Sequence, residues 1–221
     1  MGDNILIVHG GGPTSVINAS LYGAVKEAKK YKEIDHIYAA RNGTGGLMRE
    51  ELIELEKVPD EKLELLLNTP GSAIGTSRDQ IEQAEYDRMI EVLLKKNIKY
   101  VLFNGGNGSM DTCGKLYKNC QARGLDIRVM GIPKTHDNDI AITDHSPGIR
   151  KHCKIYGTEC EGSGSRCQRT SNPRSCCRGI GTKCRMDYSK QVHWQTMEMV
   201  LVRILFIFQS VRLMRRNSLM T

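Results

Sequence analysis

Two rhythms of apolar and polar positions run through the chain as far as residue 148. Asn4-Ile5-Leu6-Ile7-Val8-His9 is a short apolar run ending in three glycines, which predicts a strand. From Ser15 to Tyr31, Val16, Leu21, Ala24, Val25 and Ala28 recur at helical spacing, so a helix follows the glycines. Ile34 to Ala40 reads as a second strand, and Arg41-Asn42-Gly43-Thr44-Gly45-Gly46 as a glycine-punctuated loop after it. Asp60 to Leu67 and Gln83 to Lys96 predict helices, with Pro70-Gly71 as a breaker between them. Tyr100-Val101-Leu102-Phe103 predicts the next strand, Met110 to Arg123 a helix closed by Gly124, and Ile127-Arg128-Val129-Met130 a further strand. Such alternation predicts an α/β fold, a doubly wound and mostly parallel sheet with its functional loops at the strand C-terminal ends.

Beyond Gly148 the rhythm fails. Residues 149–189 carry no sustained period of two or 3.6, only scattered basic residues, cysteines and Gly-Ser punctuation. The expected organisation is therefore an α/β domain over 1–148 and an irregular, unstructured tail over 149–221. Charge has the same seam: residues 1–148 sum to −3 and residues 149–221 to +10. The basic balance of the whole describes the tail, and it argues for no nucleic-acid partner. Six of the eight cysteines also fall after residue 148, with no Cys-x-x-Cys pair among them. With no basic, apolar leader before the first strand, a reducing cytoplasm is expected rather than a disulfide or metal scaffold. Val200 to Phe208 is apolar apart from Arg203, about half the ~20 residues that a membrane-spanning helix needs, so no membrane role is expected.

Three glycine- or aspartate-rich loops carry the chemistry. Gly10-Gly11-Gly12 lies between a strand and a helix, where small residues let backbone N–H groups approach an anion at the helix N-terminus; a tight turn would use the same glycines. Gly105-Gly106-Asn107-Gly108-Ser109 repeats that placement after the strand at 100–103. Neither is a Walker A loop, since no Gly-Lys-Ser/Thr follows. In Gly131-Ile-Pro-Lys-Thr-His-Asp-Asn-Asp-Ile140, a lysine, a threonine and two aspartates sit in one loop, and Asp144 follows nearby. Transfer of a phosphoryl group to a hydroxyl needs a carboxylate to take the proton and cations to cover the phosphate charge. The alternative use of such a loop is an Asx-turn that satisfies backbone N–H groups.

The order and spacing of these motifs resemble the N-terminal half of the phosphofructokinase family, and the resemblance ends at Gly148. It implies that Gly11 contacts the phosphoryl donor, although Pro13 stands where the family has an acidic residue. Gly106, Asn107, Gly108 and Ser109 are similar to the family's Gly-Gly-Asp-Gly-Ser loop, whose aspartate helps hold Mg²⁺; Asn107 keeps an oxygen ligand without the charge. Ile74-Gly75-Thr76-Ser77-Arg78 resembles the segment whose arginine meets the donor phosphates, so the resemblance places Arg78 there; by residue type alone it reads more readily as a solvated surface side chain. Asp137 matches the general base, Thr135 would hold the sugar or the moving phosphoryl group, and Asp139 would orient or help bind magnesium. His136 replaces the usual isoleucine and reads as structural. Two donor markers disagree: Gly108 leaves room for a nucleotide, whereas Lys134 is similar to the pyrophosphate-using members.

By this resemblance, the expected activity is transfer from ATP or pyrophosphate to the 1-hydroxyl of fructose 6-phosphate, giving fructose 1,6-bisphosphate in glycolysis. The full-length enzyme would be a cytoplasmic, Mg²⁺-dependent homo-oligomer. Lipid and NAD kinases share a Gly-Gly-Asp-Gly loop but lack the Pro-Lys-Thr-x-Asp-Asn-Asp loop; a non-catalytic phosphate-binding remnant is the alternative from another class.

The tail has a reading of its own. Taking the last two bases of each codon with the first base of the next, Ile149 to Tyr156 can encode Tyr-Gly-Ser-Thr-Ala-Lys-Tyr, close to what the family has after its Pro-Gly. In the same frame Arg174 to Asp187 can encode a run ending Leu-Gly-Arg-Asn-Ala-Gly-Trp, similar to the family's sugar-phosphate segment, and Met186-Asp187 forces the tryptophan. Residues 149–221 are therefore read as out-of-frame translation, which leaves the chain as written truncated and inactive. A basic, cysteine-rich segment that binds metal or nucleic acid is the rival.

Overall fold

The computed structural model describes residues 2–134, so Thr135, Asp137, Asp139 and the tail lie outside the described residues. Five strands and five helices follow one another: β1 (Asp3–Gly10), α1 (Ser15–Ala28), β2 (Ile34–Ala40), α2 (Gly43–Met48), β3 (Leu52–Glu54), α3 (Asp60–Glu64), α4 (Gln83–Lys95), β4 (Ile98–Gly105), α5 (Asn107–Ala122) and β5 (Arg128–Pro133). A short 3-10 turn, Leu65–Asn68, extends α3. The sheet runs β3-β2-β1-β4-β5, parallel except for the antiparallel β3.

Within β1, Ile5 to Val8 are all apolar because the strand is covered on both sides. Ile5 and Ile7 pack with Leu21, Tyr22 and Val25 of α1 on one face, while Leu6 and Val8 pack with Met89, Ile90 and Leu93 of α4 and Leu116 of α5 on the other. The result is a three-layer α/β/α arrangement. After β1 the chain moves to β2 on one side, and β4 then pairs with β1 on the opposite side. Strand order thus reverses between β1 and β4, and at such a switch point the loops diverge and leave a crevice outside the strand C-terminal ends.

Local signals explain most boundaries. Gly124, at φ +65°, ends α5: its N–H meets the Gln121 carbonyl at 2.9 Å and the Leu125 N–H meets the Cys120 carbonyl at 3.0 Å, the paired bonds of a Schellman cap. At the start of α4, the Glu85 carboxylate accepts the Glu82 N–H at 2.9 Å, half of a capping box.

The segment expected to be a loop after β2 is instead a helix, α2. Asn42 at φ 56° and Gly43 at φ +68° turn the chain through two left-handed residues into it. The helix is short, and its glycines serve packing: a side chain on Gly46 would collide with the Arg41 carbonyl, and one on Gly43 would lie 2.6 Å from the His9 carbonyl oxygen and 2.7 Å from the Ser77 nitrogen. Gly43→Ala is therefore expected to destabilise the chain by about 2–4 kcal/mol, the left-handed cost plus overpacking. Gly124→Ala has the same sign of φ but open space around it, and should cost only about 1–2 kcal/mol. Urea unfolding of the two variants checks the difference.

Candidate active site

The described chain has a cleft of about 410 Å³ at the switch point, lined by Gly10, Gly11, Gly12, Arg78, Gly106, Gly108 and Ser109, together with His9, Thr44, Asp79 and Phe103. Its floor is the C-terminal ends of β1 and β4, where Gly10 and Gly105 are register partners. A side chain on either would meet the Ser109 hydroxyl of α5, and one on Gly105 would also lie 2.5 Å from the Gly10 carbonyl oxygen. Gly11, at φ +76°, turns the chain away from β1, and a side chain there would reach within 3.7 Å of the Gly106 nitrogen. The two glycine loops therefore face each other across the cleft.

α1 and α5 both start at this cleft, and neither has an acidic residue in its first turn. Their N-terminal N–H groups and dipoles favour an anion, with no first-turn carboxylate competing. Two cations join them. If Gly12 had a side chain, its first carbon would lie 3.4 Å from an Arg78 guanidinium nitrogen and 3.9 Å from the Lys134 ammonium. Lys134 is brought there by β5, its N–H bonded to the Gly105 carbonyl at 2.9 Å, and it is 8% exposed. Arg78 arrives on a different route: Ser77 forms a parallel bridge with Gly10, and the Gly11 N–H meets the Ser77 carbonyl at 2.9 Å. Gly108 has nothing within 4 Å of where a side chain would begin, and Asn107 is the first residue of α5.

Behind the cleft lies a buried polar relay. The Ser72 hydroxyl donates to the Gly75 carbonyl at 2.9 Å, so its 2.8 Å contact with His9 Nδ1 makes the imidazole the donor. His9 Nε2 is then an acceptor, and the Asn104 amide faces it at 3.3 Å while also donating to the Ile17 carbonyl at 2.9 Å. The ring is fully buried, and burial pushes its pKa down to about 3. His9 is thus a neutral structural link between β1, β4 and the 72–75 turn.

Of the residues singled out from the sequence, Gly11, Gly106, Gly108, Ser109 and Arg78 line one cleft, Lys134 lies beside its Gly12 wall and Asn107 opens α5 next to it; Asp137, Thr135 and Asp139 lie outside the described residues. His9, Thr44, Asp79 and Phe103 were missed. A histidine ending an apolar strand and a carboxylate next to Arg78 were the available signals. Cys113 and Cys120 are buried free thiols, and burial pushes Cys113 up to about 11, away from thiolate chemistry. No three metal-ligating side chains cluster among the described residues, and none of their helices is long and apolar enough to cross a membrane.

A doubly wound α/β domain with a glycine-lined cleft at its switch point, two cations beside it, is the class that fold and site define. The chain belongs to the phosphofructokinase family, whose model matches residues 4–161. A pyrophosphate–fructose 6-phosphate 1-phosphotransferase from Xanthomonas campestris pv. campestris is 40% identical over 156 residues, 68% of this chain and 37% of that protein. An ATP-dependent 6-phosphofructokinase from Amycolatopsis methanolica is 34% identical over 146 residues, 65% of this chain and 30% of that protein. The crystal structure of a pyrophosphate-dependent phosphofructokinase from Marinobacter aquaeolei matches with a TM-score of 0.67 at 39% identity, over 73% of this chain and 41% of that one. The chain thus spans 30–41% of the length of these relatives.

Proposed function

We propose that residues 1–148 are the donor-binding half of a 6-phosphofructokinase that moves the terminal phosphoryl group of pyrophosphate to the 1-hydroxyl of fructose 6-phosphate. The observation that carries this reading is the convergence of Arg78 and Lys134 on the Gly12 position, between two helix N-termini without first-turn acids. Compact, highly charged diphosphate matches that arrangement better than any neutral ligand. ATP is the second reading, supported by the open space at Gly108.

Asp137 is the proposed base, taking the hydroxyl proton as the sugar oxygen attacks the terminal phosphorus and the bond to the leaving phosphate breaks. Thr135 would hold the sugar or the moving group, and Arg78 and Lys134 would cover the phosphate charge. Mg²⁺ remains part of the proposal through Asp139 and the donor. Asn107 alone does not fit it, because a neutral amide at a helix N-terminus is a poor cation ligand. When bound, the ion would supply further neutralisation of phosphate charge. A cytoplasmic homo-oligomer is the expected setting.

The segment after Gly148 is proposed to be out of frame. A coupled assay on the chain as written and on one with the frame restored after Gly148 tests this with the function: turnover with pyrophosphate is expected only after restoration. Absence of turnover with either donor in the folded, restored chain would leave the phosphate-binding remnant as the answer. Gly108→Asp is expected to reduce ATP use at least tenfold more than pyrophosphate use, about the effect of placing bulk and charge against one substrate only. Equal losses would show that this position does not choose the donor.

A further inference from the structure

Arg78 makes no ion pair with any described residue and lies on an exposed segment, yet its guanidinium is held beside Gly12. The residues on either side of it are both hydrogen-bonded to Thr44. The Ser77 hydroxyl accepts the Thr44 N–H at 3.1 Å, and the Asp79 carboxylate accepts the Thr44 hydroxyl at 2.7 Å. Because the Thr44 proton is committed to Asp79, the 2.8 Å contact between the two hydroxyls runs from Ser77 to Thr44. A single directed relay follows, from the Thr44 N–H through the Ser77 and Thr44 hydroxyls to the Asp79 carboxylate, and each bond polarises the next toward the charge.

Thr44 is buried, the second residue of α2, and packed where Gly43 lets the helix approach β1. We propose that Thr44 is a positioning residue for the phosphoryl donor, gripping both neighbours of Arg78 so that the guanidinium faces the cleft and Asp79 is kept from neutralising it. A planar fork reads phosphate oxygens only when its orientation is fixed. Without the Thr44 hydroxyl, Asp79 loses its anchor and can turn to the adjacent guanidinium. Arg49 flanks the same carboxylate: its nearest nitrogen and Asp79 Oδ2 each lie 3.3 Å from where a Gly45 side chain would begin.

This inference rests on the anion-cleft reading above, and the test separates the two. The full 221-residue chain is titrated with inorganic pyrophosphate by calorimetry, with thermal unfolding as the folding check. Thr44→Val is expected to weaken binding roughly tenfold, the scale of one misaligned charge-assisted contact, and Thr44→Ser to restore it. In an Arg78→Ala background, Thr44→Val should change affinity less than about twofold, since its effect passes through the missing guanidinium. Should Thr44→Val not fold, Ser77→Ala cuts the same relay and carries the same comparison. Wild-type affinity in the folded Thr44→Val chain, or an undiminished tenfold loss in the Arg78→Ala background, overturns the inference alone. A folded wild-type chain that binds no pyrophosphate overturns the cleft reading and this inference together.

Discussion

Replacing Asp137 by alanine is expected to reduce kcat by ~10²–10⁴-fold, the contribution typical of a positioned general base, while leaving donor affinity within about twofold. The split follows from what a base does. It meets the sugar hydroxyl only as the proton leaves, so its removal raises the barrier without touching the ground-state contacts of the diphosphate. In the proposed reading those contacts belong to Arg78, Lys134 and the helix N-termini, groups that the substitution does not alter. Steady-state kinetics in the frame-restored chain, with pyrophosphate binding measured separately, check both halves. Retention of more than about a tenth of kcat would exclude Asp137 as the base.

The second large effect is on stability in acid. His9 is fully buried as a neutral ring whose pKa is pushed down to about 3, against an ordinary value of 6.5 in the unfolded chain. Between these values the unfolded state binds a proton that the folded state refuses. Stability is therefore complete above pH 6.5 and is lost as pH falls toward 3, by about 3–5 kcal/mol. Few domains can lose that much, since the whole margin is about 5–15 kcal/mol. Carboxylates held below their usual range by their lysine partners, the half-buried Glu50 beside Lys95 and the exposed Asp60 beside Lys29, add to acid lability, but less than a fully buried group because solvent screens them. His9→Gln isolates the imidazole: its amide can donate to Ser72 and accept from Asn104 without titrating. Denaturant midpoints at pH 7 and pH 4.5 should converge in the variant and separate in the wild type. An unchanged separation would show that the carboxylates dominate.

The elements that the sequence announces most clearly are those whose cause is local. β1, α1, β2, α4, β4, α5 and β5 each follow an apolar run or a helical period, and the turn at Gly124 is written in one glycine. By contrast, α2 and β3 owe their form to tertiary contacts. Gly43, Gly45 and Gly46 read as loop residues because propensity sees only their lack of side chains, whereas Gly43 lets α2 touch β1 and Ser77, Gly45 leaves room for Asp79, and Gly46 leaves room for the Arg41 backbone. β3 has three residues, too few for a period of two to register. The site divides in the same way. Gly11, Gly106 and Ser109 were legible because each follows a strand, and Arg78 and Lys134 because of the motifs around them. Thr44 and Asp79 depend on a hydrogen bond between positions 35 apart, which no window along the chain contains.

The pairing of β1 with β4 has a consequence for how the molecule is made. His9 and Asn104 are 95 residues apart in sequence, yet neighbouring strand ends carry them to one floor. Contacts that close so long a loop form late, because their entropy is spent before any of them is rewarded. During synthesis the cleft cannot exist until the start of α5 has left the ribosome, although β1, α1 and β2 are already available. Occupancy by pyrophosphate would accordingly report completed folding rather than assist its early steps, and would slow unfolding more than it hastens folding.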